Sequence, residues 1–206
     1  RRREERIKKK MSKKRLVFAT GNQGKVNEFR QMLGDDYEIL SMKDIGVDID
    51  IVEDGKTFEE NALIKARALY KVIHQPVISD DSGLEVDALD KKPGVHSARW
   101  MGEDTPYTIK NQAIIDALKD KKDRSARFVC VIAYIDEDGK EYTYRGTIEG
   151  QINDKIVGAN GFGYDPIFYY PPFHTTTANV SEELKNSVSH RGNTLKAFLA
   201  DWGDKL

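Results

Sequence analysis

Apolar residues along the chain alternate between extended and helical spacing, with no internal repeat and no low-complexity segment. The short apolar run at residues 15–19 predicts a strand. After it, Val26, Phe29 and Leu33 recur at helical spacing. The pattern therefore predicts a strand, a glycine-rich turn and a helix at the front of the chain.

A longer helix of about four turns is predicted where Phe58, Ala66 and Ile73 mark an apolar face. Thr57 is a suitable N-cap for it, and Glu60 three residues later completes a capping box. A further helix is predicted after residues 105–106, because proline is favoured in a first helical turn.

Two long strands are predicted at residues 127–135 and 141–151, joined by the turn-rich residues 136–140. Near the C-terminus, Leu195, Phe198 and Leu199 predict an amphipathic helix. Helical and extended segments thus alternate, which predicts an α/β fold with a mixed sheet.

Composition agrees with one substantial core in a chain of 206 residues. The 33 basic and 34 acidic residues give a net charge of −1, so no global field attracts polyanions and any anion site depends on local charge. Cys130 is the single cysteine, which excludes an intramolecular disulfide. With no apolar stretch of about 20 residues and no visible signal peptide, we expect no membrane association and a cytoplasmic location.

An acidic motif follows the apolar residues 76–78, and we expect it where a buried strand surfaces into a loop. It consists of Asp80, Asp81, Ser82 and Gly83. Paired carboxylates suit Mg²⁺, which takes oxygen ligands and usually keeps several waters beside one or two carboxylates and substrate phosphates. The alternative is a tight turn, since these residue types favour turns.

A candidate phosphate loop lies between the first strand and the first helix. Its residues are Thr20, Gly21, Asn22, Gln23, Gly24 and Lys25. Unpaired backbone N–H groups at a helix N-terminus favour an anion, and Lys25 adds a positive charge. The spacing is not that of a Walker loop, and an ordinary βα turn is the alternative.

A third candidate segment alternates glycines with aromatic residues. Phe162 lies between Gly161 and Gly163, with room to present its ring to a flat ligand such as a nucleobase. The alternative is a bend that places the aromatics in the core. His190 and Arg191 begin the last predicted helix, where cations oppose the helix dipole, so an anionic or carbonyl-bearing ligand is expected there.

Together these segments resemble one family, the XTP/dITP diphosphatases, also called inosine triphosphate pyrophosphatases. The matching residues are Thr20, Gly21, Asn22, Gly24 and Lys25; Thr57, Phe58, Glu60, Asn61, Ala62, Lys65 and Ala66; Asp80, Asp81, Ser82, Gly83 and Leu84; Pro93, Gly94, Ser97, Ala98 and Arg99; residues 161–166; and residues 189–192. The resemblance implies cleavage of ITP, dITP and XTP to the monophosphate and pyrophosphate with Mg²⁺. It also implies an elongated, twisted mixed sheet flanked by helices, with two lobes around a nucleotide cleft, and a homodimer.

The resemblance also assigns site residues. Glu53 matches a metal ligand, and with Asp80 and Asp81 it is expected to hold Mg²⁺, while Asp81 orients or deprotonates the attacking water. Lys25 and Lys65 would share the charge of the leaving pyrophosphate. The expected substrate contacts are Thr20, Gly21, Asn22, Gln23, Gly24, Lys25, Lys65, Ser82, Phe162, Gly163, Tyr164, Asp165, Lys185, His190 and Arg191.

Two of these assignments have alternatives in local structure. Lys185 is otherwise a solvated helix lysine, and Asp165 either bonds to the base or to a loop group, or caps the backbone before Pro166. Donors on His190 and Arg191 would pair with the 6-keto oxygen of hypoxanthine or xanthine and be left unpaired by adenine, at about 1–3 kcal/mol each. Guanine shares the 6-keto group, so its rejection needs a further device.

The first ten residues carry seven basic residues and precede Met11. We expect residues 1–10 to be an appended or disordered extension and residues 11–206 to be a single catalytic domain. Two alternative functions are a Maf-type nucleotide pyrophosphatase and a nucleic-acid-binding module that uses the basic extension. We expect neither nucleic-acid binding nor membrane binding.

Overall fold

The structure, a computed structural model, describes residues 1–5 and 14–206. The predicted boundary between an N-terminal extension and a domain beginning at residue 11 lies outside the described residues. Within the described part of the chain, no helix is long and apolar enough to cross a membrane.

The strands form one eight-stranded mixed sheet in the order β2-β1-β3-β5-β6-β7-β8, with β4 beside β3. They are β1 (Lys14–Phe18), β2 (Tyr37–Ser41), β3 (Val77–Val86), β4 (Lys92–Pro93), β5 (Ser125–Ile135), β6 (Glu141–Ile152), β7 (Phe168–Tyr170) and β8 (Thr175–Thr176). β1 is parallel to β2 and β3, and the other pairs are antiparallel. The predicted mixed sheet and its long β5–β6 hairpin are therefore present.

The main helices are α1 (Gln23–Leu33), α2 (Phe58–Ile73), α3 (Tyr107–Ala117), α4 (Glu182–Asn186) and α5 (His190–Trp202). The Thr57 hydroxyl caps α2 by accepting from the Glu60 N–H at 3.1 Å. The Glu60 carboxylate accepts from the Lys56 N–H rather than the Thr57 N–H, so the predicted capping box is only half formed. Pro106 is the N-cap of α3, one position before the predicted first turn.

Two apolar cores lie on opposite faces of the first half of the sheet. On one face α1 and α5 pack against β1, with Phe18, Phe29 and Phe198 at the centre. On the other face α2 packs Ala66 and Leu69 against the strands. The alternation of side chains along each strand explains why one sheet supplies both cores.

A third core forms a second lobe around α3 and the far ends of β3, β5 and β6. Its buried members include Leu84, Ile114, Ile148 and Phe168. Because this core is separate from the first two, the molecule has the two lobes that the resemblance implies. The cleft between the lobes contains the candidate site.

β3 continues through the acidic motif instead of ending before it. Residues 79–84 all lie inside this ten-residue strand, so the expected strand end, and the alternative of a tight turn, are both wrong. β1 pairs with β3 only at Val77 and Ile78, and β4 joins the same side only at Glu85 and Val86. Between these points no described strand covers that edge of β3, and this open edge faces a crevice beyond the carboxyl end of β1, where ligands of α/β sheets commonly bind.

Candidate active site

The predicted phosphate loop joins β1 to α1 as a tight turn. The Asn22 side chain caps α1 by accepting from the Lys25 N–H at 3.2 Å, and the Asn22 N–H donates to the Thr20 hydroxyl at 3.0 Å. Lys25 reaches back over the turn, with its Nζ 3.2 Å from Asp80 Oδ1. Gln23 is exposed, and its side-chain amide donates to Asn27 along α1 at 3.4 Å, so it is not part of the hydrogen bonding of the turn.

Asp80 is a fully buried carboxylate surrounded by cations and donors. Besides Lys25, it accepts from the Ser82 hydroxyl at 3.2 Å, and Arg191 Nε lies 3.9 Å away. Burial opposes ionisation, but the positive charges of Lys25, Lys65 and Arg191 outweigh it and lower the pKa of Asp80 to about 2. Asp80 is therefore a fixed counter-charge that holds three parts of the site together.

Asp81 has the opposite environment on the other face of β3, beside α2. Lys65 from α2 lies between two acids, with its Nζ 3.1 Å from Glu53 and 3.9 Å from Asp81 Oδ1. Asp81 Oδ2 is buried and has no hydrogen-bond partner among the described residues. Burial raises the pKa of Asp81 to about 6, against the lowering effect of Lys65.

The expected triad of metal ligands is not assembled. Successive side chains of a strand point to opposite faces, so Asp80 is turned away from Glu53 and Asp81. Among the described residues no group of three or more His, Cys, Asp or Glu side chains is placed to hold a metal. Glu53 and Asp81 remain as a pair, and the unpartnered Oδ2 of Asp81 fits a Mg²⁺ ion that takes its other ligands from water and phosphate.

Lys65 also contacts the open edge of β3. Its ammonium donates to the backbone carbonyl of Asp80, and the Leu84 N–H on the same edge donates to the Ser97 hydroxyl at 2.9 Å. The edge is thus bounded by a cation at one end and a hydroxyl at the other. A ligand at this edge can reach groups on both faces of β3.

The cleft beside this edge has a volume of about 260 Å³. Phe162 lies at its mouth with 61% of its surface exposed, and two cations stand over its ring. Lys185 Nζ is 4.6 Å and Arg191 Cζ 5.6 Å from the ring centroid. Phe162 therefore presents a face to the cleft, as the glycine-flanked sequence predicts, and does not enter the core.

Asp165 and Tyr164 belong to the interior of the same loop. The Asp165 carboxylate accepts from the Phe162 N–H at 3.0 Å, from the Thr177 hydroxyl at 2.7 Å and from Lys185 Nζ at 2.6 Å. The structure thus gives Asp165 both the expected backbone cap, at the Phe162 N–H, and contacts with neighbouring groups, and the same carboxylate orients Lys185. Tyr164 is buried, and its hydroxyl donates to the backbone carbonyl of Ser97.

His190 and Arg191 begin α5 as predicted, but only Arg191 is a cation. Burial first, and then the charges of Arg191 and Lys185, hold the pKa of His190 well below its usual value, so its imidazole is neutral and lies stacked on Phe128 at 5.2 Å. Arg191 donates to Glu28 of α1 at 3.0 Å. Of the two expected cations at the helix start, only Arg191 is charged. Its guanidinium pairs with Glu28, while its Nε has no hydrogen-bond partner among the described residues, so a ligand at this position stays a prediction.

Sequence reasoning gives no role to several residues of this cleft. Glu28 carries no motif signal beyond its place one helical turn after Lys25. Ser97 and Ala98 belong to a matching segment of the resemblance, and with Tyr107 they form a wall of the cleft. Only the folded topology brings the second lobe against the loop at Phe162.

Comparison with known proteins gives consistent matches over most of the chain. The model of the Ham1 family matches residues 16–201. A dITP/XTP pyrophosphatase from Staphylococcus aureus is 43% identical over 190 residues, which cover 91% of this chain and 97% of that protein. A dITP/XTP pyrophosphatase from Exiguobacterium sibiricum is 44% identical over 189 residues, 90% of this chain and 96% of that protein.

Among solved structures, the Ham1 protein of Staphylococcus aureus is similar to this chain with a TM-score of 0.86 at 41% identity. The match covers 94% of this chain and 100% of that chain. The predicted fold, a mixed sheet flanked by helices, is thereby confirmed.

Proposed function

The chain belongs to the Ham1 family, and from this premise we propose that it is a pyrophosphatase of non-canonical purine nucleoside triphosphates. Its substrates are dITP, XTP and ITP, which it hydrolyses to the monophosphate and pyrophosphate, so that these nucleotides are removed before incorporation into DNA or RNA. The observation that carries the proposal is one cleft in which Lys25, Lys185 and Arg191 gather beside the exposed ring of Phe162.

The purine stacks on Phe162, which is exposed and flanked by cations even without a ligand. Lys185 and Arg191 donate to the 6-keto oxygen, and the buried neutral His190 adds a ring N–H donor beside them. Adenine has an amino group at that position, so these donors would stay unpaired and ATP is a poor substrate.

The triphosphate extends from the base along the open edge of β3 towards the turn at Lys25. The N-terminus of α1 and Lys25 stabilise its negative charge from one face, and Lys65 from the other. Thr20, Gly21, Asn22, Gln23 and Gly24 supply the backbone of this turn, and Ser82 lies on the edge itself.

Asp81 supplies the chemical step from the α2 face. The attacking water gives a proton to the Asp81 carboxylate, through the oxygen that does not hold the metal, and the water oxygen bonds to the α-phosphorus. The bond between the α-phosphorus and the bridging oxygen breaks, and pyrophosphate leaves with the electron pair. Lys25 and Lys65 neutralise the charge that builds on the leaving group.

We propose Mg²⁺ as the metal, held by Glu53 and Asp81 together with substrate phosphates. The bound ion would withdraw charge from the phosphate oxygens and help to position them. Asp80 is left out of this set because its carboxylate is already engaged by Lys25 and Ser82 on the other face.

A substrate panel tests the function directly. The purified chain is incubated with Mg²⁺ and each of ITP, dITP, XTP, GTP, ATP, dTTP and UTP, and the products are separated. We expect monophosphate plus pyrophosphate from the first three and little turnover of the others. Nucleoside diphosphate plus phosphate would contradict the reaction, and preferred cleavage of dTTP or UTP would favour a Maf-type enzyme.

Two further expectations concern the chain as a whole. We propose that residues 11–206 contain the full catalytic domain, so deletion of residues 1–10 should leave ITP cleavage unchanged. A homodimer, implied by the resemblance, and a cytoplasmic location, expected from the sequence, are checked by sedimentation velocity and by cell fractionation. Loss of ITP cleavage on deletion would favour a functional role for the basic extension.

A further inference from the structure

Near its start, α3 buries polar side chains and exposes an apolar one, which is the reverse of what side-chain polarity favours. Lys110 and Asn111 are buried, with 0% and 2% of their surfaces exposed, whereas Ile109 is 52% exposed. Burying an ammonium group is costly unless it is paired. Such an arrangement therefore requires a specific purpose for the two polar side chains.

Both side chains hold backbone carbonyls of the cleft wall. Lys110 Nζ donates to the Ala98 carbonyl at 2.9 Å and lies 4.7 Å above the ring of Tyr107. Asn111 donates its amide N–H to the Gly163 carbonyl at 3.1 Å. Positions 107, 110 and 111 have the i, i+3, i+4 spacing of one helical face, so this face of α3 turns towards the cleft.

A third carbonyl of the same wall is engaged in the same way. The Tyr164 hydroxyl donates to the Ser97 carbonyl, and the Tyr164 ring packs edge-on against Tyr107 at 5.1 Å. Ser97, Ala98 and Gly163 all line the cleft. Each of their carbonyls is therefore directed at a protein donor instead of at a ligand.

From this arrangement we propose that Lys110 and Asn111 are positioning residues that exclude guanine. They keep the carbonyls of Ala98 and Gly163 turned towards α3, so the wall offers no acceptor to the 2-amino group of a guanine base. Hypoxanthine has only hydrogen at C2 and needs no partner there, whereas the keto oxygen of xanthine needs a donor, so this filter concerns the choice between guanine and hypoxanthine. The inference rests on the proposed function, because it requires the purine to lie in this cleft.

The energetics agree with such a filter. An amino group that enters a closed cleft without a partner loses its hydrogen bonds to water, at a cost of about 1–3 kcal/mol. That cost corresponds to roughly five- to 150-fold in kcat/KM against GTP. The 6-keto donors cannot supply this discrimination, because guanine and hypoxanthine are identical at that position.

The test uses volume-matched variants that release the carbonyls. Lys110→Met removes the ammonium, and Asn111→Leu removes the amide donor together with an Oδ1 that has no partner among the described residues. Each variant should raise kcat/KM for GTP about tenfold and leave that for ITP within about threefold. Gln112→Leu and Lys119→Met, at exposed positions, are the matched controls and should change neither value.

Each result decides a separate question. A gain towards GTP cannot arise from general damage to the fold, which lowers activity on every substrate. Equal losses on ITP and GTP, or unchanged GTP cleavage, would overturn the inference, as would a wild-type protein that cleaves GTP as well as ITP. A wild type inactive on ITP, dITP and XTP would instead contradict the proposed function.

Folding is checked by circular dichroism before the kinetics. Should one variant fail to fold, the other is sufficient, because each releases a different carbonyl of the same wall. The same ratio of GTP to ITP cleavage then decides: a rise supports the inference, and an unchanged ratio overturns it.

Discussion

Asp80 and Asp81 are adjacent in the chain, yet β3 sends their carboxylates to opposite faces of the sheet. On the α1 side, Asp80 is saturated by Lys25 and Ser82 and its pKa is lowered to about 2. On the α2 side, Asp81 keeps one buried oxygen without a partner among the described residues, and its pKa is raised to about 6. Two identical side chains thus have different surroundings, which fit a structural role for Asp80 and the chemical role that we propose for Asp81.

The same contrast extends to the neighbours of each aspartate. The Asp80 face holds Lys25, Arg191 and the neutral imidazole of His190, which we propose to bind substrate, and both cations have acidic partners. The Asp81 face holds Glu53 and Lys65 and retains an oxygen for a water or a metal. Variants on the two faces should therefore fail in different ways.

The largest effect is expected from Asp81→Asn, which removes the proton acceptor. We expect kcat for dITP to fall about 10³-fold, within the range of general-base catalysis, with no loss of thermal stability. Steady-state assays with Mg²⁺ and a thermal melt measure both quantities. Asp104→Asn, at an exposed position, is the matched control, and an Asp81→Asn protein that retains a tenth of wild-type kcat would break the comparison.

Asp80→Asn should mainly lower the free energy of unfolding. It leaves Lys25 and Arg191 without their shared buried counter-charge, which costs about 3 kcal/mol of unfolding free energy. Urea unfolding at pH 7 measures this change against the Asp104→Asn control. A change below about 0.5 kcal/mol would show that Asp80 is not the structural member of the pair.

Phe162→Leu tests the proposed base contact on the Asp80 face. Removing the exposed ring takes away the stacking surface, so KM for dITP should rise about tenfold while kcat and the melting temperature stay close to wild type. Initial-rate kinetics over a range of dITP concentrations separate the two parameters. Val72→Ala, a trimmed exposed side chain on α2, serves as control, and an unchanged KM would place the base elsewhere.

The smallest effect concerns the neutral His190. Its folded pKa lies below its unfolded value, so the unfolded chain gains a proton first as pH falls below about 6.5, and stability declines there. The groups around the imidazole are the cations Arg191, Lys185 and Lys25 and the anion Asp80. Relative to His190→Gln, the wild type should lose about 1 kcal/mol between pH 7 and pH 5.5 by urea unfolding. Parallel curves would mean that folding does not lower the pKa of His190.

Much of the fold follows from local sequence. The cap at Thr57, the turn at residues 136–140 and the helix start at residue 190 each depend on side chains a few positions apart, so the sequence predicts them. The course of β3 does not follow in this way. Asp, Ser and Gly disfavour strands, but pairing with β5 along the whole length of β3 overrides that preference.

The candidate site is predictable in its motifs but not in its arrangement. The residue types of the phosphate loop and the acidic motif indicate phosphate and metal chemistry. Which aspartate keeps an oxygen without a hydrogen-bond partner depends on the face of the sheet that each one occupies. That face is known only once the residues are known to lie in a strand. The sequence does not mark Lys110 and Asn111 as site residues. A lysine and an asparagine in the first turns of a helix predict an exposed surface, and only the packing of the second lobe buries them.

We propose that a water activated by Asp81 attacks the α-phosphorus of a nucleotide that is bound by residues on the Asp80 face. Hydrolysis of dITP in ¹⁸O-labelled water, followed by ³¹P NMR of the products, tests it most directly. The account predicts that the heavy oxygen appears in the phosphate of the nucleoside monophosphate and that the pyrophosphate stays unlabelled. Label in the pyrophosphate would show attack at the β-phosphorus and would contradict the account.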